Sequence, residues 1–227
     1  MAERLDLSSA DARTTFIRAQ TALRPVPHVP EIALHVADEA VPLWRKTEDE
    51  LDAIGLPPPY WAFAWAGGQA LARYVLDHPH LVAGRRVLDL AAGSGLVAIA
   101  AALAGAAPVI ACDIDRFAEQ AIALNAQANG TYVEILVQDL LDRPPPLAPR
   151  YDVILVGDLF YEATTAERAL AFLDRHAGVG TSVLIGDPGR AYLPKDRLAW
   201  QCEYEIAVTR DLEDRGIKRT AVWTLSR

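Results

Sequence analysis

The sequence is poor in cysteine, in net positive charge and in long apolar runs, and each shortage argues against a class of protein. Two cysteines, Cys112 and Cys202, are too few for a disulfide framework or a cysteine-based metal site. The 22 basic residues are outnumbered by 30 acidic ones, which gives a formal net charge of -8, whereas a protein that binds nucleic acid phosphates needs a basic surface. No apolar run approaches the ~18 residues that a membrane-spanning helix requires. We therefore expect neither nucleic acid nor a membrane as a partner.

The N-terminal residues indicate the cellular compartment, and the spacing of the histidines indicates whether they could bind a metal ion. The first eleven residues are charged and polar, so they lack the basic and then apolar pattern of a secretory signal. The five histidines are scattered without ligand-like spacing. We expect a cytoplasmic protein without a metal site.

Hydrophobic residues make up 52% of the 227, which is enough for one sizeable core. From about residue 56, apolar strand-like runs alternate with helical patterns, which is typical of a parallel sheet covered on both faces. Strands are predicted in "RRVLDLA", "APVIACDID", "YVEILVQDL", "YDVILVGDLFY" and "TSVLIGDP". The chain then ends in two strand-like runs, 202–212 and 219–227, with no helix between them. The prediction is an α/β fold, a Rossmann-like doubly wound seven-stranded sheet whose last strand is antiparallel in a C-terminal hairpin.

Residues 1–55 are expected to be an N-terminal appendage packed on a main domain of residues 56–227. A helical pattern begins at Ser8 and is stopped by the prolines of "RPVPHVP". One or two short strands are predicted in "EIALHVADEAVPLW". The acidic run of residues 47–52 is interpreted as a solvated helix face or, alternatively, as a landing site for a basic protein loop.

Carboxylates stand where the predicted strands end. The run Gly93–Ala98 matches the glycine turn of dinucleotide-binding folds, but Asp89 lies four residues before it, where those folds usually have no carboxylate. Negative charge at Asp89 suits a cationic sulfonium ligand. Asp113 closes the next strand and can accept both hydroxyls of a ribose, and Asp139 closes the third, where it can meet an adenine amino group.

These stretches carry a resemblance. "VLDLAAGSG", "ACDID" and "VQDL" resemble the successive S-adenosylmethionine-binding motifs of the seven-strand methyltransferases, and the resemblance covers about residues 55–227. Ala91 departs from the family's commonest pattern, which has glycine there. The resemblance implies a methyltransferase domain at 56–227 with S-adenosyl-L-methionine as cofactor and S-adenosyl-L-homocysteine as product. The cofactor-binding residues that it implies, together with the strand-end carboxylates, are Trp65, Gly67, Gly68, Asp89, Gly93, Gly95, Asp113, Ile114, Asp139 and Asp158.

Two further stretches concern the methyl acceptor. "GDLFY", with Asp158 and Tyr161, resembles the Asp/Glu-x-x-Tyr/Phe motif of a lysine-modifying subgroup. Together with "PPPYWAFAWAGGQALARYVLD" and "GDPGR", it is similar to the electron transfer flavoprotein β-subunit lysine methyltransferases. That resemblance implies a protein-lysine N-methyltransferase acting on that β-subunit. Asp158 would orient the amine and help carry its proton away, and Tyr161 would wall the lysine channel.

Other interpretations stay open. The acceptor can instead be a ribosomal protein lysine or a small, nicotinamide-like molecule. The glycine turn alone also allows a nicotinamide-dependent oxidoreductase, and a non-catalytic cofactor-binding module is a fourth possibility. Tyr60 and Trp61 are expected to pack in an aromatic cluster that pins the appendage to the core.

Overall fold

The computed structural model describes residues 7–37, 56–144, 150–208 and 216–226. The helices and strands, in chain order, are α1 (Ala10–Gln20), β1 (Ala22–Val26), β2 (Val29–Val36), α2 (Ala66–Asp77), β3 (Val87–Leu90), α3 (Leu96–Leu103), β4 (Val109–Asp113), α4 (Arg116–Ala128), β5 (Glu134–Val137), β6 (Val153–Gly157), α5 (Ala163–Ala177), β7 (Ser182–Asp187), β8 (Leu198–Ala207) and β9 (Ile217–Leu225). None of the helices in these ranges is long and apolar enough to cross a membrane.

Strands β3 to β9 form one sheet in the order β5-β4-β3-β6-β7-β9-β8. The strands from β3 to β7 pair in parallel, whereas β9 is antiparallel to both of its neighbours, β7 and β8. The predicted seven-stranded sheet with a reversed last strand is therefore confirmed. Because the order reverses on either side of β3, the carboxyl ends of β3, β4 and β6 open onto a crevice of the kind that binds ligands in open α/β sheets.

The two faces of the sheet bury two separate apolar cores, because successive side chains of a strand point to opposite faces. Val87 packs with residues of α2, α3 and α4, whereas its neighbour Leu88 packs with residues of α5 on the other face. Val153 and Ile154 divide in the same way. The apolar runs of the sequence reflect this burial on both sides.

The N-terminal segment packs on helix α4. The ring of Phe16 meets the ring of Phe117 edge-on at 5.7 Å. The backbone N–H of His35 in β2 donates to Asn125 Oδ1 at 2.7 Å. The predicted helix is confirmed, with Ser9 as its N-cap, but β1 was not anticipated, because Pro25 was interpreted only as a stop. Proline is tolerated in β1 because this two-stranded sheet has exposed edges. The proposed boundary at residue 55 and the acidic run 47–52 lie outside the described residues, so both stay predictions.

Helix α2 crosses strands β6 and β7 at glycines. A Cβ atom on Gly67 would lie 2.2 Å from the backbone oxygen of Gly186, and one on Gly157 would lie 3.1 Å from the Cα of Gly68. Only backbone without side chains allows an approach this close. The contact fixes the N-terminus of α2, with Trp65 directly before it, beside the carboxyl ends of β6 and β7.

The glycine crossing yields a matched pair of variants. Gly67→Ala is expected to destabilise the protein by about 1–3 kcal/mol, because its methyl group would overlap Gly186 and an oxygen of Asp158. Gly68→Ala is the control: its Cβ would meet nothing nearer than 3.9 Å, so the change should be neutral or stabilising by up to about 1 kcal/mol. Urea unfolding of the two variants measures both values, and equal losses would contradict the close crossing.

Candidate functional site

A cavity of about 970 Å³ opens above the carboxyl ends of the parallel strands. Its walls come from the loops that follow β3, β4, β5 and β6, from the aromatic segment before α2, and from the start of the N-terminal segment. Its volume is at the upper end of the range of about 300–1,000 Å³ typical of small-molecule sites. It therefore has room for a nucleoside-sized ligand together with part of a second reactant.

Asp89 lies at the floor of this cavity and is almost wholly buried. Its Oδ2 accepts the backbone N–H of Ala98, in the first turn of α3, at 2.9 Å. Burial raises the pKa of Asp89 to about 8. In a dinucleotide fold the amides at this helix N-terminus bind the pyrophosphate. Here a carboxylate already takes one of them and, when ionised, would repel a phosphate, so the geometry argues against a nicotinamide dinucleotide.

Asp113, at the end of β4, ties two loops of the cavity together. Its Oδ2 accepts the N–H of Gly93 at 2.8 Å, and its Oδ1 accepts the N–H of Asp115 at 3.0 Å. Burial raises its pKa. A carboxylate has about four lone-pair sites, so each oxygen can still accept a hydroxyl. The geometry is compatible with the predicted ribose contact, which stays a prediction.

Ile114 and Asp139 also line the cavity. Ile114 is 71% exposed, which offers an apolar surface on which a flat base can pack. Asp139 Oδ2 accepts Nη2 of Arg168 at 2.8 Å, and this bond holds the pKa of Asp139 below its usual range. The predicted adenine contact of Asp139 would therefore have to be shared with Arg168.

Gly67 and Gly95 take no part in the cavity wall, whereas Trp65, Gly68 and Gly93 do. Gly95 has φ +79°, and a Cβ atom there would lie 3.1 Å from the side chain of Ile122, so this glycine serves the packing of α3 on α4. Gly67 serves the crossing of α2 over β7. These two glycines therefore shape the backbone around the cavity, and their predicted contact with a cofactor stays a prediction.

Asp158 follows β6 and joins three segments of the chain. Its Oδ2 accepts the N–H of Gly68 at 3.0 Å, and its Oδ1 accepts Nη2 of Arg190 at 2.8 Å. Its backbone has φ +57°, a left-handed conformation that costs a non-glycine residue on the order of 1–3 kcal/mol and that is concentrated at functional sites. The carboxylate is thus held in one orientation at the cavity wall.

An aromatic group stands at the cavity mouth and consists of Tyr60, Trp65 and Tyr161. The Tyr60 ring lies 5.8 Å from that of Tyr161 and 6.1 Å from that of Trp65. Burial, with the neighbouring Tyr60 as a smaller cause, raises the pKa of Tyr161 to about 12, so its phenol stays protonated at neutral pH. The guanidinium of Arg190 lies over the Trp65 ring, 5.8 Å from its centre. Together these groups form a half-open aromatic entrance beside Asp158.

The lining residues that were not predicted as site residues include Tyr60, Arg190 and Arg13. The packing expectation for Tyr60 is wrong, because its side chain is 42% exposed at the mouth, whereas Trp61 is buried and stacks on Phe117 as expected. Arg190 belongs to the "GDPGR" stretch, whose resemblance implies no role for this residue. Nothing in the local pattern around Arg13 distinguishes it from the rest of an amphipathic helix.

Within the described ranges, no group of three or more histidine, cysteine or acidic side chains is placed to hold a metal ion. Cys112 is buried in the core as a small apolar residue.

Comparison with known proteins places this geometry in context. The family model "Ribosomal protein L11 methyltransferase (PrmA)" matches residues 69–163. The electron transfer flavoprotein beta subunit lysine methyltransferase of Xenopus laevis is 37% identical over 223 residues, which cover 96% of this chain and 88% of that protein. The Homo sapiens protein of the same name is 36% identical over 86% of this chain and 74% of its own length.

Solved structures agree in fold. A Thermus thermophilus 16S rRNA N2 G1207 methyltransferase in complex with AdoMet and guanosine gives a TM-score of 0.52 at 21% identity, over 76% of this chain and 46% of that one. A Thermoplasma acidophilum protein gives the same TM-score and identity over 70% of this chain and 89% of its own. At this identity the likeness concerns the fold alone.

The buried carboxyl of Asp89 predicts a pH effect on stability. Its folded pKa of about 8 lies above the ~3.9 of an unfolded chain, so the stability that its proton provides is lost as the pH rises from about 4 through about 8. The amide of Asp89→Asn does not titrate and can still accept the Ala98 N–H. The melting temperature of Asp89→Asn minus that of the parent is therefore expected to rise by at least about 2–4 °C between pH 5.5 and pH 9, in ligand-free protein. A difference that is constant with pH would contradict the shifted pKa.

Proposed function

The chain belongs to the electron transfer flavoprotein beta subunit lysine methyltransferase family, and we propose that it transfers methyl groups from S-adenosylmethionine to lysine side chains of an electron transfer flavoprotein β-subunit. The observation that carries the proposal is the meeting of the strand-end carboxylates and the aromatic entrance in one cavity. Identity of 37% over 96% of the chain supports the same conclusion. The formal charge of -8 also favours a protein acceptor over a nucleic acid.

The residues of the cavity fit the donor. Asp113 offers acceptors for ribose hydroxyls, the exposed Ile114 offers an apolar surface for adenine, and Asp139 offers an acceptor for its amino group. Asp89 lies in the floor, and a ligand that carries a sulfonium and an ammonium group would favour the ionised form of its carboxyl. When bound, S-adenosylmethionine supplies an activated methyl group for in-line displacement.

The entrance fits a lysine. Methyl transfer needs a neutral amine, and the pKa of a free lysine is about 10.4, so the site must favour loss of a proton. The guanidinium of Arg190 beside the entrance disfavours a second cation there, which favours the neutral amine. Tyr161, with its pKa of about 12, is no base at neutral pH and serves as a wall that excludes water.

Asp158 is the residue proposed to orient the amine. Both of its oxygens already accept hydrogen bonds, from Gly68 and from Arg190, so the carboxylate cannot turn away from its position. Oδ1 accepts both Nε and Nη2 of Arg190, so Oδ2 is the oxygen that we propose to accept an N–H of the incoming amine and to hold the nitrogen lone pair toward the donor. On the same geometry, we also propose that Asp158 helps to remove the proton that the lysine amine loses.

A ribosomal protein lysine is the second candidate acceptor. The family model of ribosomal protein L11 methyltransferases matches residues 69–163, which include β3 to β6 and therefore the cofactor side of the cavity. The aromatic segment that begins at Pro57 lies mostly before the match, and this segment forms much of the acceptor entrance. We therefore propose the flavoprotein β-subunit, in preference to ribosomal protein L11, as the methyl acceptor.

The acceptor is tested by methyl transfer from a tritiated donor to purified proteins. The expected result is label in an electron transfer flavoprotein β-subunit, mapped to lysine by mass spectrometry, and little label in ribosomal protein L11. Label in L11 alone would favour the second candidate. Transfer only to a small molecule of a lysate would contradict a protein acceptor.

A substitution tests the role of Asp158. Asp158→Asn keeps the shape but brings an amide nitrogen or a weaker acceptor to the amine, and it is expected to lower kcat at least about 100-fold. Asp174→Asn is the matched control, because Asp174 forms an exposed ion pair with Arg197 and does not line the cavity. The control should retain near-parental turnover in the same methyl-transfer assay. Full activity of Asp158→Asn would remove Asp158 from the proposed mechanism.

A further inference from the structure

Arg13, in the first turn of α1, brings a buried positive charge to the cavity. Its side chain lines the cavity and is only 6% exposed. It comes from the N-terminal segment, which precedes the methyltransferase motifs by more than fifty residues. An arginine is almost never buried without partners, so this one requires an explanation.

The hydrogen bonds of Arg13 do not account for its charge. Its Nη1 donates to the backbone oxygens of Leu7 and Ser8, each at 2.9 Å, and these bonds fold the preceding chain against the helix. Its Nε is buried and has no hydrogen-bond partner. Among the described residues no carboxylate forms an ion pair with Arg13. Burial raises the pKa of the nearby Asp115, and the positive charge of Arg13 acts to lower it. That carboxylate is the N-cap of α4, however, where its Oδ1 accepts the N–H of Phe117.

The other three arginines of the cavity differ from Arg13. Arg168 pairs with Asp139 and Asp142, and Arg190 pairs with Asp158. Arg116 lies at the solvent-exposed start of α4, where water can solvate its charge. Of the four, Arg13 alone combines burial with the lack of an ion pair to a carboxylate in the described part of the chain. Because a buried charge is stable only when it is compensated, the cavity is complementary to a ligand that brings its own anion.

We propose that Arg13 binds the α-carboxylate at the amino-acid end of the methyl donor, so that the N-terminal segment completes the cofactor site. The inference rests on the proposed use of S-adenosylmethionine. That donor and its product S-adenosylhomocysteine each carry a single anionic group, the α-carboxylate. Nε of Arg13 supplies the unused donor, and the charge-assisted bond that it makes is the stronger for being shielded from water.

The test compares two ligands that differ only in this carboxylate. S-adenosylhomocysteine carries it, whereas its decarboxylated analogue, S-adenosyl-3-thiopropylamine, keeps the nucleoside and the ammonium. Arg13→Gln is expected to weaken S-adenosylhomocysteine about 10- to 100-fold by isothermal titration calorimetry, because one charge-assisted hydrogen bond is lost. The affinity for the decarboxylated analogue should stay the same or rise slightly, since a repulsive cation has been removed. Binding of the analogue also shows that the variant is folded.

Two further variants sharpen the result. Arg116→Gln removes the exposed arginine of the same cavity and should change the affinity for neither ligand. Arg13→Lys keeps the charge but loses the fork of donors, so a smaller loss, again selective for S-adenosylhomocysteine, is expected. If Arg13→Gln does not fold, the affinities of Arg13→Lys for the two ligands test the proposal instead.

Each other outcome overturns the proposal. Equal weakening of both ligands by the Arg13 variants would mean that the arginine only holds Leu7 and Ser8 in place. If Arg116→Gln, and not Arg13→Gln, selectively weakened the binding of S-adenosylhomocysteine, the carboxylate would be assigned to Arg116. If no variant weakened that binding, neither arginine would bind the carboxylate. If the parent protein bound neither ligand, the proposed function itself would fall, a result distinct from unselective loss in a binding-competent protein.

Discussion

The glycine crossing of α2 over β6 and β7 is the constraint on which the candidate site depends. Without side chains at Gly67 and Gly186, the helix backbone lies directly on the strand, and this contact brings the N–H of Gly68 within 3.0 Å of the Asp158 carboxylate. The same placement sets Trp65, at the helix N-cap, beneath the guanidinium of Arg190. One close backbone contact therefore fixes the carboxylate, the cation and the aromatic ring that together border the acceptor entrance.

The electrostatics of the cavity divide it into two parts. On the cofactor side, Asp89 and Asp113 are buried and bonded to backbone amides, and a cationic nucleoside ligand would stabilise their ionised forms. On the acceptor side, the carboxylate of Asp158 is balanced by Arg190, so this side is closer to neutral. A cavity that attracts a sulfonium at one end and disfavours an ammonium at the other suits a reaction between a charged donor and a neutral amine.

The glycine turn shows how a motif acquires its meaning from its neighbours. The run Gly93–Ala98 by itself matches a dinucleotide fingerprint. The carboxylate of Asp89 changes the interpretation, because its oxygen takes an amide of α3 that a pyrophosphate would need. Ala91 carries φ +57°, the conformation that glycine adopts most readily, which agrees with the glycine that stands there in the commonest family pattern.

The sequence by itself determined the sheet, its reversed last strand and the acidic positions at the strand ends, because parallel strands bring their carboxyl ends to one edge and apolar runs mark each strand. It did not determine that Gly67 and Gly95 stand behind the cavity wall, since the packing partners of a glycine lie far away in the chain. Nor did it reveal Tyr60, Arg190 or Arg13, which reach the cavity from a loop before α2, a loop after β7 and the N-terminal helix. Only tertiary packing decided those placements, because the burial and the charge partners of a side chain depend on residues distant in sequence, whereas a local pattern reports only periodicity.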